Sequence, residues 1–189
     1  MIFDLPKSLE IDGEEWKIRT DYRDILRILL AFEDANLEDA EKQYVCLFII
    51  FPDFERIPPA RYEAFLRAAI EFIDHGAGKN DRPGPRTMDW EQDADILFPA
   101  INTVAGYEVR GVNYLHWWTF AGYFMEIREG VASTVLNLRS KKARGKKLEK
   151  WEREFWQQNK EICQLHVRET DEQKEERDRL NALLNGAGK

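Results

Sequence analysis

A mainly α fold is predicted: a helical bundle-like domain opened by a small N-terminal β-hairpin and followed by a C-terminal helical extension. Three observations predict it. Residues 9–18 alternate apolar and polar around Asp12-Gly13, apolar side chains recur at helical spacing from Tyr22 onward, and the charge balance changes sign near Leu136. Residues 1–134 carry 14 basic and 25 acidic side chains, net −11, whereas residues 135–189 carry 14 basic and 10 acidic, net +4. Residues 1–134 are therefore read as the helical body with its hairpin, and residues 135–189 as a charged helical extension with a polar tail.

The hairpin rests on Leu9, Ile11, Trp16 and Ile18 flanking Asp12-Gly13, a dipeptide that tolerates positive φ. Asp21 can cap a first helix over about Tyr22–Ala35. A second spans about Glu38–Phe51, with Ala40, Tyr44, Leu47 and Phe48 in phase and Pro52 ending it. A third begins at Pro59, where a missing amide costs nothing, and runs to Asp74 with Gly76 as its stop. Residues 77–87 read as a loop. The next helix covers about Asp89–Val104, and Pro99 predicts a kink or break in it. After a turn bracketed by Gly106 and Gly111, Asn113 is expected to cap a helix over Tyr114–Glu129, and one long helix is expected over Ser140–His166. Thr170-Asp171-Glu172-Gln173 matches a capping box before a very polar segment.

Composition excludes several classes of protein. A chain of 189 residues with 43% hydrophobic side chains can bury one core, so full disorder is excluded, while 33% charged residues demand a very polar surface. The longest apolar run, Tyr44 to Pro52, has nine residues against the roughly 18 that cross a bilayer. Asp4 stands where a secretory signal would be basic, so the protein is expected to stay where it is made. Cys46 and Cys163 are too far apart in sequence to suggest a disulfide framework. His75, His116 and His166 are more than forty residues apart and form no zinc motif. No metal and no cofactor is expected.

Asp89, Glu91, Asp93 and Asp95 alternate like metal ligands. An EF-hand loop starting at Asp89 would need Gly and Glu where Ala94 and Ala100 stand. On a helix the acids divide into two nearly opposite pairs, which suits a core-facing stripe of Trp90, Ala94, Leu97 and Ile101 with acidic flanks. Gly76-Ala77-Gly78-Lys79 follows a helix rather than a strand and lacks phosphate-loop spacing. No serine lies in a nucleophile elbow. Arg139 to Lys150 holds seven cations in twelve residues, enough to attract nucleic acid. Acids follow at once, however, and Leu148, Trp151, Phe155, Ile162 and Leu165 then form a heptad-like seam interrupted by Gln158. Tyr114 to Met125 is the most aromatic segment, with apolar groups over more than half of its circumference. Such a helix is either central to the core or offered in part to a partner. His116 is read as a polar edge or cap residue.

Asp89-Trp90-Glu91-Gln92-Asp93-Ala94-Asp95, followed by Leu115-His116-Trp117-Trp118-Thr119-Phe120, resembles the bacteriophage gp-fifteen family of siphophage tail modules. The openings Leu5-Pro6-Lys7-Ser8 and Thr20-Asp21-Tyr22-Arg23 are similar to that family's start, and the likeness spans about residues 3–155. The resemblance implies a small helical tail assembly chaperone in the bacterial host cytoplasm. It would bind the apolar helical tape measure protein before tail tube subunits polymerise around it. No catalytic residue carries over.

The function expected is therefore non-enzymatic binding. Trp117, Trp118 and Phe124 on the aromatic helix and Trp151 and Phe155 on the seam are the partner-binding candidates, and which helix makes the contact is left open. A nucleic-acid-binding phage protein acting through residues 139–150 is the alternative, and a small metal enzyme using Asp89, Asp93 or His116 a third. Calorimetric titration with calcium, magnesium, manganese or zinc is expected to show no micromolar binding. A stoichiometric signal abolished by Asp89→Asn or Asp93→Asn would restore the metal reading.

Overall fold

The computed structural model describes residues 4–74 and 84–186. It is mainly α, with a two-stranded antiparallel hairpin at its start. Strands β1 (Ser8–Ile11) and β2 (Glu14–Lys17) pair Leu9 with Trp16 and Ile11 with Glu14. Asp12 (φ 54°) and Gly13 (φ 81°) supply the two positive φ angles that a tight hairpin turn needs. Trp16 meets Phe65 edge-on at 4.8 Å, so the hairpin lies on the third helix. Arg61 ties it down with ion pairs of 3.0 Å to both Asp12 and Glu14.

Helices α1 (Tyr22–Glu33), α2 (Asp39–Ile50) and α3 (Tyr62–Ile73) follow as expected, except that Pro59–Arg61 forms a 3-10 turn before α3. The Asp21 carboxylate accepts from the Arg23 amide at 2.9 Å and starts α1. The predicted stop at Gly76 and most of the 77–87 loop lie outside the described residues.

Several features of the later helices differ from expectation. Helix α4 (Ala94–Ala105) starts five residues after Asp89, because the Asp89 carboxylate accepts from the amides of Glu91 and Gln92 and holds residues 90–93 in a separate turn. Pro99 does not break α4. Both Pro99 and Asp95, whose carbonyl loses its amide partner, are exposed, so water can satisfy what the proline removes. Helix α5 (Trp117–Met125) is capped by His116 rather than Asn113, since the His116 Nδ1 accepts from the Trp118 amide at 3.0 Å.

The predicted single helix over 140–166 is three pieces. Helix α6 (Val131–Ala143) contains the composition break at residue 135 and ends at Gly145, whose φ of 67° a continuing helix cannot adopt. Helices α7 (Lys150–Gln158) and α8 (Lys160–Cys163) come next, so no continuous heptad seam forms. Helix α9 (Asp171–Gly186) begins with the expected capping box: Thr170 and Gln173 each bond the other's amide.

The main core brings together the hairpin and α1–α5. Tyr22 stacks on Phe120 at 4.3 Å, and Ile25, Ile28, Leu47, Phe65, Leu97 and Ile101 are fully buried. A second, smaller cluster forms around Val135, Leu138 and Cys163, with Phe155 and Trp156 against it. Among the described side chains of helix α9, the Asp171 amide bonds the Asn36 side chain at 2.9 Å, Arg177 pairs with Glu169 just before the helix, and Leu180 is 53% exposed. Deleting residues 170–189 is therefore expected to move the melting temperature by no more than a few degrees. A drop of about ten degrees or more in a calorimetric scan would mean that α9 is docked on the body.

Candidate functional site

The aromatic segment is held from three sides. Residues 20–22 run antiparallel to 115–117: the Tyr22 amide bonds the Leu115 carbonyl at 3.0 Å, and the Trp117 amide bonds the Thr20 carbonyl at 2.7 Å. With Nδ1 accepting from Trp118, the buried His116 ring carries its proton on Nε2, which donates to the Pro6 carbonyl at 2.9 Å. The indole N–H of Trp117 reaches the Ile73 carbonyl at 2.8 Å, and that of Trp118 reaches the Phe72 carbonyl at 2.9 Å. Two adjacent tryptophans therefore close the end of α3, where carbonyls have no helical partner.

This places the sequence candidates in two groups. Trp117 is only 5% exposed. Trp118 is half-buried and stacked on Phe72 at 5.9 Å, and half-buried Phe124 lies 5.1 Å from Trp90. Phe155 belongs to the second cluster, and Trp151 is 55% exposed beside it with its indole bonded to Glu149. The structure does not bring the two groups into one surface.

Between α4 and the segment leading from α5 into α6 lies a groove of about 780 Å³. Its apolar walls are Ile96, Pro99, Ala100 and Val104 on α4 with Ile127 and Val131 where α5 passes into α6. Val104 is 38% and Val131 49% exposed. Asp95, Glu126, Arg128 and Glu129 stand around them. A second apolar surface lies on α2, where the exposed Tyr44 and Phe48 lean on Phe54 and on each other. Periodicity along the chain signals neither surface as a site, because each depends on which elements meet in space.

The basic segment is partly used inside the protein. Arg139 is 4% exposed, Lys141 pairs with Glu152, and the Lys142 ammonium lies 3.9 Å from the centre of the Trp156 ring. Arg144, Lys146, Lys147 and Lys150 remain exposed around Gly145.

Arg139 belongs to a buried charge cluster. Its guanidinium bonds both Asp93 oxygens at 2.6 and 2.8 Å, and also the carbonyls of Thr87, Ile162 and Cys163. Next to it, Asp89 accepts from Arg168 at 2.8 and 3.0 Å and pairs with Arg86, while Arg168 reaches Glu33 at 2.8 Å. Gln92 bonds the backbone of Gln164 and His166, so residues 162–168 form a strap across the α4 entrance. Burial raises the Asp89 pKa, but the amides of Gln92 and Glu91 and the Arg168 guanidinium outweigh it and hold the carboxyl below its ordinary value. At Glu33 burial prevails over Arg168 and Arg86, and the carboxyl is raised. The acidic run is thus structural: Asp89 and Asp93 turn inward, Glu91 and Asp95 face solvent. Among the described residues no group of three or more His, Cys, Asp and Glu side chains is arranged to hold a metal ion. Nor is any helix among them long and apolar enough to cross a membrane.

The fold and these surfaces define a helical protein whose polar machinery is used to hold its own elements together. A sequence profile of the family described as Bacteriophage Gp15 protein matches residues 1–165, and the chain belongs to that family. It is thus a phage protein of the structural or assembly-related kind. No curated protein and no solved structure matches the chain.

Arg139→Leu, which leaves the Asp93 carboxylate buried without its partner, is expected to cost about 3–5 kcal/mol in denaturant unfolding. Adding Asp93→Leu should recover part of that loss, since no charge then stays buried. The Asp89 contribution is complete above the unfolded carboxyl pKa of about 4 and disappears as pH falls through the lower folded value. The raised Glu33 acts with the opposite sign, giving back stability as it protonates. Arg168→Gln should therefore make unfolding less dependent on pH below about 4, as read from melting temperatures across that range.

Proposed function

We propose that this protein is a non-enzymatic tail assembly chaperone that works in the host cytoplasm. It binds the apolar helical tape measure protein and keeps it soluble until tail tube subunits polymerise around it. The observation that carries this reading is the apolar groove between α4 and the start of α6, whose lining suits one face of an amphipathic helix. Membership of a phage structural or assembly family supports it. Each large side chain buried in such a groove contributes about 1.5–3 kcal/mol, so three or four anchors outweigh the few tenths typical of exposed ion pairs. Trp151, exposed at the α7 end, is a second contact for a long partner.

A second reading is favoured by Arg144, Lys146, Lys147 and Lys150, which together could hold nucleic acid. The two readings differ in salt dependence.

On co-expression with the phage's tape measure protein, the partner is expected in the soluble fraction, bound to this chain and still bound at about 0.5 M salt. A phosphate-driven complex would lose orders of magnitude in affinity at that salt. Val131→Asp should release the partner while circular dichroism shows the fold intact, and Trp151→Asp should weaken the complex less. If the tape measure protein is equally insoluble with and without this chain, the chaperone reading is wrong.

A further inference from the structure

Building on the reading of the groove as a helix-binding site, we propose that it selects helices whose apolar stripe is flanked by lysine or arginine. The walls are apolar but the rim is not: Asp95, Glu126 and Glu129 stand around the opening against one cation, Arg128. Arg128 is already held by Glu126 at 2.8 Å. Asp95 and Glu129 are in no ion pair among the described residues, and both are exposed. An incoming helix therefore meets, beside its apolar seat, two carboxylates held in no ion pair, of which Asp95 feels the charge of Arg110, itself paired with Glu108.

Pro99 adds a directional element. Having no amide, it leaves the Asp95 carbonyl without its helical donor, and both residues line the groove. At that end a lysine ammonium, which carries three donors and no acceptor, meets a carboxylate and an unpaired carbonyl together. A glutamate in the same place would face an acceptor and a like charge. The groove thus combines an apolar contact that supplies affinity with an anionic rim that chooses among apolar helices.

The test uses the full chain and two fluorescent helical peptides with the same leucines at i, i+3, i+4 and i+7, one with lysine and one with glutamate at the flanking positions. At about 50 mM salt the lysine peptide is expected to bind roughly tenfold tighter, and the ratio should shrink to about twofold at 0.5 M as the exposed charges are screened. Asp95→Lys combined with Glu129→Lys should reverse the preference, and Val104→Asp should abolish binding of both peptides. Equal affinities for the two peptides would overturn the proposal. So would a lysine preference that survives Val104→Asp, since the cations would then be held elsewhere, or a dimer that Val131→Asp dissolves and that excludes the peptides. The selectivity and the chaperone reading fail separately. A chain that solubilises the tape measure protein yet does not discriminate between the peptides loses only the selectivity. A chain that prefers lysine yet leaves the tape measure protein insoluble keeps the groove's chemistry and loses the chaperone role.

Discussion

Residues 114–118 are the junction on which the rest of the fold depends. Within five positions the chain pairs with the start of α1, caps its own helix, reaches back to Pro6 and closes the end of α3 with two indoles. These contacts satisfy carbonyls and amides at the ends of helices, the groups that a helical protein cannot satisfy internally. A buried polar group left unpaired costs about 1–3 kcal/mol, so the loss of this junction would cost more than the loss of any one contact among core side chains of similar size. It also explains why the densest aromatic segment is largely withdrawn from the surface.

The charge cluster plays the same part at the entrance to α4. The excess acid of residues 1–134 and the excess base of residues 135–189 meet where Asp89 and Asp93 receive Arg168 and Arg139. Because the Arg139 guanidinium also bonds three backbone carbonyls, it positions α6, the segment at Thr87 before the 90–93 turn and the strap at once. The pair at its centre is worth less as attraction than as a constraint, because either partner left alone would be a buried, unpaired charge.

The legible parts of the fold are those decided by neighbours in sequence. The Asp12-Gly13 turn, the α1 cap at Asp21 and the Thr170 capping box each need only two to five residues, and all three are present. Gly145 was equally local, but apolar spacing continues through it, and period alone joined what a left-handed residue separates. His116 could be read as a cap, yet its ring orientation depends on a carbonyl 110 residues away. The rings of the tryptophans are visible in the sequence pattern, whereas their N–H groups decide their place. Asp89 and Asp93 were legible as one face of a turn, but Arg139 was hidden at the head of a cationic run. The groove left no trace in sequence, because its walls come from α4 and from residues 126–132, which only packing brings together.

The strap has a consequence for the order of events during synthesis. Translation delivers Asp89 and Asp93 well before their partners, which lie 79 and 46 residues further on. Until Arg139 has left the ribosome, closing the turn at 89–93 would bury the Asp93 carboxylate without its partner and leave Asp89 with Arg86 alone, and that penalty favours keeping it open to water. The nascent hairpin and first three helices can assemble early around their own apolar contacts. The α4 entrance is sealed only after Arg168 has emerged, so residues made later than the hairpin and first helices complete the body.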